Sequence, residues 1–345
     1  MNENRSRILL IRFSSLGDLV LLTALVEGMA ISYPGHELHL ATKEQYRELF
    51  DSDSRITRIH ALPRGAGTVE LLRLRKRLAS ERFDIVIDAH NVIRSNFLFH
   101  TLRVKRKVQL GKEQVRKLSL IRAGKDLYHD TVSMKDRYLG LIEALGEKAP
   151  DVSTRLDPPP EAEAAVDSLF EMNGLTGREI VALAPGARWE TKRWPAERFA
   201  GISKAILDSG RRILVIGDKS EKEICRIAAS GDGAFDACGT LSLMETASAL
   251  KRASILVTND SAPLHIAEAV GTPVVAMYGP TARQFGYFPL LEKSRALEKD
   301  LECRPCSRNG ARPCHLDSRD CLDTIDAAEV LAAVDQVLDS PGGDR

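Results

Sequence analysis

The chain has 345 residues, 43% of them hydrophobic and 28% charged, with a net charge of +1, the composition of a globular protein long enough for two cores. That balance excludes a low-complexity or disordered polypeptide. Arg12 and Asp18 interrupt the first apolar stretch, so neither a signal peptide nor a membrane span is expected, and the expected location is the cytoplasm.

Charge is unevenly spread: residues 1–157 hold 27 Lys and Arg against 20 Asp and Glu, and the remainder 22 against 28. The excess is densest from Arg64 to Lys125, with 16 basic and 5 acidic residues, which suggests an anionic partner for the first half. A nucleic acid fits poorly, because aromatic residues are only 5% and form no stacking platform.

In chain order, Arg7 to Phe13 reads as a buried strand, followed by the turn Ser14-Ser15-Leu16-Gly17-Asp18 and an apolar helix from about Leu19. Strands are predicted at His36–Ala41, Ile56–Ala61 and Phe83–Asp88, and helices at Val69–Ser80, Asn91–Leu102 and Val132–Leu145. Such alternation predicts a parallel sheet covered on both faces. Asp157-Pro158-Pro159-Pro160 breaks it, because consecutive prolines continue neither a helix nor a central strand.

The pattern then restarts. Helices are predicted at Glu161–Asn173 and Ala196–Asp208 and from Glu221 and Ser242, and strands at Ile180–Ala184, Arg212–Ile216, Ile255–Val257 and Val274–Tyr278. The expected organisation is a first domain over 1–157, a second over 158–338 whose last helix is free to pack back on the first, and a frayed tail from 339 to 345.

Chemistry is expected at the strand-to-helix turns, where free N–H groups and a helix dipole favour anions. Asn259-Asp260-Ser261 caps a short helix carrying Pro263 and His265, an arrangement suited to a diphosphate. The matching turn, Pro185 to Pro195, offers Lys192 and Arg193 for charge-assisted bonds to phosphate, while Trp194-Pro195 reads as packing. Gly217 to Glu221 supplies acidic groups suited to ribose hydroxyls. Asp18 reads either as helix-end electrostatics or as a general base. Neither G-x-G-x-x-G nor G-x-x-x-x-G-K-[ST] follows a strand here, which argues against a nicotinamide dehydrogenase and a nucleoside triphosphatase.

Taken together, SSLGD, DIVIDAHNVIRS, PGA…KRWP, NDSAPLH and YGPT resemble glycosyltransferase family 9, the heptosyltransferases of lipopolysaccharide core assembly, over nearly the whole chain. The resemblance implies an α/β protein of GT-B fold, two Rossmann-like domains whose parallel sheets face a central cleft. It implies inverting, metal-independent transfer of heptose from ADP-heptose to a hydroxyl of the lipopolysaccharide inner core, a Kdo or heptose acceptor. Carried onto this sequence, Asp18 is the base and Lys192 the diphosphate clamp. Ala187, Arg188, Glu221, Leu241, Asp260, Ser261, Ala262 and His265 become donor contacts, with Glu223 a rival to Glu221 for the ribose. Ser15, Gly17, Arg64 and Arg94 become acceptor contacts, and the Arg103–Lys107 cluster is expected to face the anionic acceptor at the inner leaflet. Ala187-Arg188 and Ala262-Pro263 depart from the family's usual residues, and Pro263 removes one N–H from the phosphate turn. No cofactor is expected.

Cys303, Cys306, Cys314 and Cys321 have metal-ligand spacing and suggest a structural zinc, with His315 as a competing ligand, whereas Cys225 and Cys238 read as core residues. Two alternatives stand beside the main reading: a GT-B transferase using another nucleotide sugar, and a catalytically silent nucleotide-sugar-binding protein. Oligomeric state is not legible in the sequence.

Overall fold

The computed structural model of the chain describes residues 6–316 and 318–340, so most of the expected tail lies outside the described residues. Two compact units form: residues 1–113 with 132–157, and residues 114–131 with 158–345.

The first unit is built on a five-stranded parallel sheet of order β3-β2-β1-β4-β5. Its elements are β1 (Arg7–Ile11), α1 (Leu16–Ser32), β2 (Glu37–Lys43), β3 (Arg58–Leu62), α2 (Thr68–Ser80), β4 (Ile85–Asp88), α3 (Ile93–Thr101) and β5 (Arg106–Gln109). Residues 114–131, with α4 (Gln114–Ala123), leave this unit, and α5 (Met134–Glu143) returns to it.

Helix α1 is apolar around most of its circumference because it is enclosed: 12 of its 17 residues are buried. Gly28 lets α5 approach, since a Cβ there would stand 2.7 Å from Ile142 Cδ1 and 3.0 Å from Leu139 Cδ2. Leu9, Ile11, Leu74, Leu78, Val86 and Leu98 form the core on the sheet's other face.

The second unit holds a six-stranded parallel sheet of order β11-β10-β9-β6-β7-β8. In chain order its elements are α6 (Pro160–Met172), β6 (Ile180–Ala184), α7 (Ala196–Asp208), β7 (Arg212–Val215), α8 (Lys222–Ala228), β8 (Ala234–Asp236), α9 (Leu243–Arg252), β9 (Ile255–Asn259), α10 (Ala262–Ala269), β10 (Val274–Tyr278), β11 (Arg295–Glu298), α11 (Asp320–Asp323) and α12 (Ala327–Asp339). Pro160 stands in the first turn of α6, where its missing N–H costs nothing.

The expected limits differ from the observed units at residues 114–131. Residues 114–131 pack with the second unit: Lys117 Nζ lies 5.9 Å from the Phe285 ring centroid, Gln114 Oε1 accepts from Arg308, and Asp126 accepts from Gln284. The last helix stays with the second unit, where Val330, Ala333, Val334 and Val337 join Phe199, Ile202, Val257 and Met277 in one core. Its apolar stripe has four buried residues to cover, and α7, β9, β10 and β11 cover them. Among the described residues, no helix is long and apolar enough to cross a membrane.

Candidate active site

In each sheet the strand order reverses beside the first strand of its unit, between β1 and β4 and between β6 and β9. Connections diverge at such a point and leave a crevice at the carboxyl ends of the strands. The candidate residues of each unit gather there.

In the first unit, α1 starts at Leu16, three residues before the expected Leu19, so Asp18 occupies its first turn. Asp18 is 6% exposed and heavily engaged. Its Oδ2 accepts from the Ser15 amide at 3.0 Å and from Ser15 Oγ at 2.5 Å. Its Oδ1 pairs with Arg12 Nη2 at 2.7 Å and accepts from Tyr138 Oη at 3.2 Å. The Arg12 guanidinium also bonds the Ala89 carbonyl and lies 5.6 Å from the centroid of the Tyr138 ring. Of these groups Ser15 alone is exposed, and the Ser14–Ser15 peptide is cis.

Beside this cluster stands the turn after β4. Asp88 Oδ1 accepts from the amides of His90 and Asn91, both at 2.9 Å, which holds Asn91 at φ 53°. His90 Nδ1 accepts from the Phe13 amide at 3.3 Å. Burial, and then the nearby Arg12 charge, push the His90 imidazole down to about 3, so it is neutral at physiological pH.

Arg64, on the turn after β3, and Arg94, in the first turn of α3, are exposed at the same carboxyl edge. The Arg103–Lys107 cluster is not: it leads into β5, whose first two residues are Arg106 and Lys107, and so lies at the amino edge of the sheet. Lys107 Nζ is spent on the carbonyls of Phe99, at 2.6 Å, and Leu102, at 2.5 Å, and Arg106 bonds the Leu145 carbonyl. Structural hydrogen bonds have claimed Arg106 and Lys107, whereas Arg103 and Lys105 are exposed.

In the second unit, Lys192 Nζ pairs with Asp260 Oδ2 at 2.6 Å and donates to the Asp260 carbonyl at 3.2 Å. Thr281 Oγ1 donates to the same Oδ2 at 2.7 Å, tying the Gly279–Thr281 turn to this pair. Asn259, fully buried, clamps both ends of the Pro185–Pro195 loop: its Oδ1 accepts from the Trp194 amide at 2.9 Å and its Nδ2 donates to the Pro185 carbonyl at 2.8 Å. Trp194 packs as expected, with Nε1 on the Ile325 carbonyl at 2.9 Å. Ser261 stands at the N-cap position of α10 without a side-chain capping bond, and His265 is 5% exposed with its ring 6.2 Å from that of Tyr287. Ala187 is buried and its carbonyl accepts from Arg193 Nε at 2.7 Å, whereas Arg188 is exposed and lies over the Trp189 ring.

Glu221 and Glu223 separate clearly. Glu223 is exposed and pairs with Arg226 at 2.7 Å. Glu221 lies at the strand edge, its Oε2 on the Asp218 amide at 2.9 Å and its carboxylate so close to Gly186 that a Cβ there would stand 2.2 Å from it. Leu241 is half-buried at the entry to α9.

The four spaced cysteines and His315 line one cavity of about 560 Å³ beside this site. Among the described residues, the one group with three ligand atoms within 4.8 Å of one another is Cys225, Asp236 and Cys238. Zinc–sulfur bonds of about 2.3 Å set tetrahedral ligands roughly 3.8 Å apart, so a zinc among the four cysteines would draw them together.

The sequence profile of glycosyltransferase family 9 (heptosyltransferase) matches residues 71–315. The chain belongs to glycosyltransferase family 9. The lipooligosaccharide heptosyltransferase 2 of Haemophilus influenzae is 27% identical over 315 residues, covering 85% of this chain and 90% of that protein. Among solved structures, a family 9 glycosyltransferase from Veillonella parvula superposes with a TM-score of 0.81 at 22% identity, covering 98% of both chains. The E. coli heptosyltransferase WaaC with ADP-2-deoxy-2-fluoro heptose superposes at 0.67 and 19% identity, covering 96% of this chain and 99% of that one. The fold is GT-B, and the family makes the chain a glycosyltransferase.

Sequence reasoning missed several residues of this family 9 site. Arg12 and Tyr138 both touch Asp18, and Asn259 clamps both ends of the Pro185–Pro195 loop. Arg12 carried a usable signal, since an arginine inside a buried strand end needs a carboxylate partner. Tyr138 carried none, being 120 residues from Asp18.

Proposed function

We propose that this chain transfers heptose from ADP-heptose to a hydroxyl of the lipopolysaccharide inner core, with inversion and without a metal ion. The observation that carries the reading is Asp18, a nearly buried carboxylate at the crevice edge of a family 9 chain, reached from the surface through an exposed serine hydroxyl. The names of the Haemophilus and E. coli relatives support the donor and the lipopolysaccharide acceptor.

In the proposed step the acceptor oxygen forms a bond to the anomeric carbon while the bond from that carbon to the β-phosphate oxygen breaks. The acceptor proton passes to Asp18, and ADP leaves with the bonding pair. The four acceptor positions of the Asp18 carboxylate are matched by four donor contacts, from Arg12, Tyr138 and twice from Ser15. The substrate hydroxyl takes the place of Ser15 Oγ, the one exposed donor. Arg12 balances the carboxylate charge, and Tyr138 fixes its plane.

Lys192 and the N-terminus of α10 meet the charge that grows on the leaving diphosphate. Asp260 holds Lys192 before the donor arrives. Ala187, Arg188, Ser261, Ala262 and His265 border the phosphate and sugar positions, Glu221 the ribose and Leu241 the adenine. Ser15, Gly17, Arg64 and Arg94 border the acceptor. We place the enzyme at the cytoplasmic face of the inner membrane, where an anionic lipid-linked acceptor resides.

The test is turnover of ADP-heptose on heptose-deficient lipopolysaccharide with chelator present, comparing wild type with Asp18→Asn. Transfer by wild type alone, with the anomeric configuration inverted in the product, supports the reading. Equal transfer by the variant removes Asp18 as the base, and no transfer by wild type removes the substrate pair.

A further inference from the structure

Among the described residues, the most closely gathered metal-ligand chemistry lies under the turn that carries Glu221. Helix α8 brings Cys225 to the end of β7, and the chain leaving β8 brings Cys238 to the same point. Cys225 is fully buried and donates to the Ile216 carbonyl at 3.8 Å; Cys238 is 4% exposed and donates to the Asp218 carbonyl at 3.2 Å. Both sulfurs close on the Gly217 α-carbon: a Cβ there would stand 2.7 Å from Cys225 Sγ, 3.0 Å from Cys238 Sγ and 3.2 Å from Glu221 Oε2. Asp236 supplies an exposed carboxylate, and its Oδ1 accepts from the Cys238 amide at 2.9 Å. One ligand atom from each of Cys225, Asp236 and Cys238 lies within 4.8 Å of the other two.

Packing alone does not account for this set. An alanine at either cysteine satisfies an apolar core, and a carboxylate at the mouth of two facing thiols adds nothing to burial. Two sulfurs and one oxygen at this spacing suit a soft or borderline divalent cation in a tetrahedral site, with the Asp218 carbonyl next to Cys238 Sγ as the nearest fourth donor.

We propose that Cys225, Cys238 and Asp236 form a binding site for a zinc-class divalent cation, and that its occupation weakens donor binding through Glu221. The coupling rests on the proposed role of Glu221 at the ribose. A divalent charge beside Gly217 competes for the Glu221 carboxylate, which otherwise accepts from the Asp218 amide and faces the crevice. The metal acts as an inhibitor here and takes no part in transfer.

The experiment titrates the full-length protein, stripped by chelator, with Cd²⁺ and follows the ultraviolet cadmium–thiolate charge-transfer band. One equivalent is expected to develop the band with a Cys303, Cys306, Cys314 and Cys321 quadruple serine variant as background. Cys238→Ala, which removes a nearly buried but small group, is expected to abolish it. Asp236→Asn, on the surface, is expected to weaken affinity at least about tenfold. In turnover assays Zn²⁺ is expected to raise KM for the donor several-fold with little change in kcat, and Cys238→Ala to cancel that rise while keeping the metal-free rate.

A band that survives Cys238→Ala in the quadruple background, or no band there at all, overturns the site. A band as expected with an unchanged donor KM overturns the coupling and leaves the site. The absorbance reading does not depend on turnover, so failure of the substrate assignment is seen separately.

Discussion

Asp18 and Ser15 form the contact on which the chemistry turns at the residue scale. The 2.5 Å bond from Ser15 Oγ occupies the carboxylate position that an acceptor hydroxyl needs. Asp18→Asn removes the base, and general-base losses of about 10² to 10⁴ in kcat are expected with donor affinity unchanged. Ser15→Ala behaves in the opposite way: the Ser15 amide still bonds Asp18, one competitor is gone, and kcat/KM for the acceptor is expected to hold or rise. Steady-state kinetics with the acceptor varied checks both, and a Ser15→Ala variant as inactive as Asp18→Asn defeats the displacement argument.

Lys192 gives a third contrast, because it has two tasks. Removing a group aimed at developing charge costs about 10² to 10³ in kcat. Lys192→Met also leaves Asp260, 6% exposed, without its cation, so loss of thermal stability is expected too. Lys192→Met with Asp260→Asn is expected to recover the melting temperature and not the rate. Separate recovery of the two in calorimetry and kinetics distinguishes the tasks.

At the scale of elements, the sequence was most legible where a single local rule decides. β6 and α7 fall where they were predicted, because a short apolar run and an amphipathic period are unambiguous. The turn residues Asp18, Lys192, Asp260 and Glu221 were legible for the same reason, since strand-to-helix turns in a parallel sheet all end at one edge. What was hidden depends on tertiary partners. The amino-edge position of Arg103–Lys107 requires β5, whose Arg-Lys-Val-Gln sequence shows no strand pattern of its own. Helix α4 was likewise unmarked, and its change of unit is decided by contacts with Phe285 and Arg308.

That helix carries a prediction of its own. Val115 is 75% exposed and Leu118 37%, on a helix that has exposed Arg116 and Arg122 and no acidic residue. An exposed apolar and basic face suits an anionic bilayer, each cation contributing about 1 kcal/mol near the surface. Under the proposed inner-membrane location, Val115→Glu with Leu118→Glu is expected to reduce sedimentation with anionic vesicles. Turnover on a soluble, detergent-dispersed acceptor is expected to stay near wild type. Undiminished vesicle binding assigns the membrane contact elsewhere.

For the whole molecule, the response to acid draws on buried histidines of the first unit. His39 and His60 share a buried hydrogen bond, Nδ1 to Nε2, at 2.9 Å, stacked beside Phe83. One ring donates and the other accepts, so protonating the acceptor breaks the bond. Burial lowers His39, against the pull of Glu81 and Glu37, and pushes His60 down to about 4 with the help of its neighbour. His90, at about 3, lies in the same unit. Each is held below its unfolded value of about 6.5, so the unfolded chain binds the proton first. Stability is therefore fully present above about pH 6.5 and falls with acidification through that value, by about 1.4 kcal/mol per pH unit for each histidine until its folded pKa is reached. The first unit is expected to lose protection in hydrogen exchange between about pH 6.5 and 4.5. Replacing the pair by His39→Leu with His60→Leu removes two proton sites that the unfolded state fills. That variant is expected to show a flatter melting temperature over the same range, and a slope equal to wild type would move the acid sensitivity to other groups.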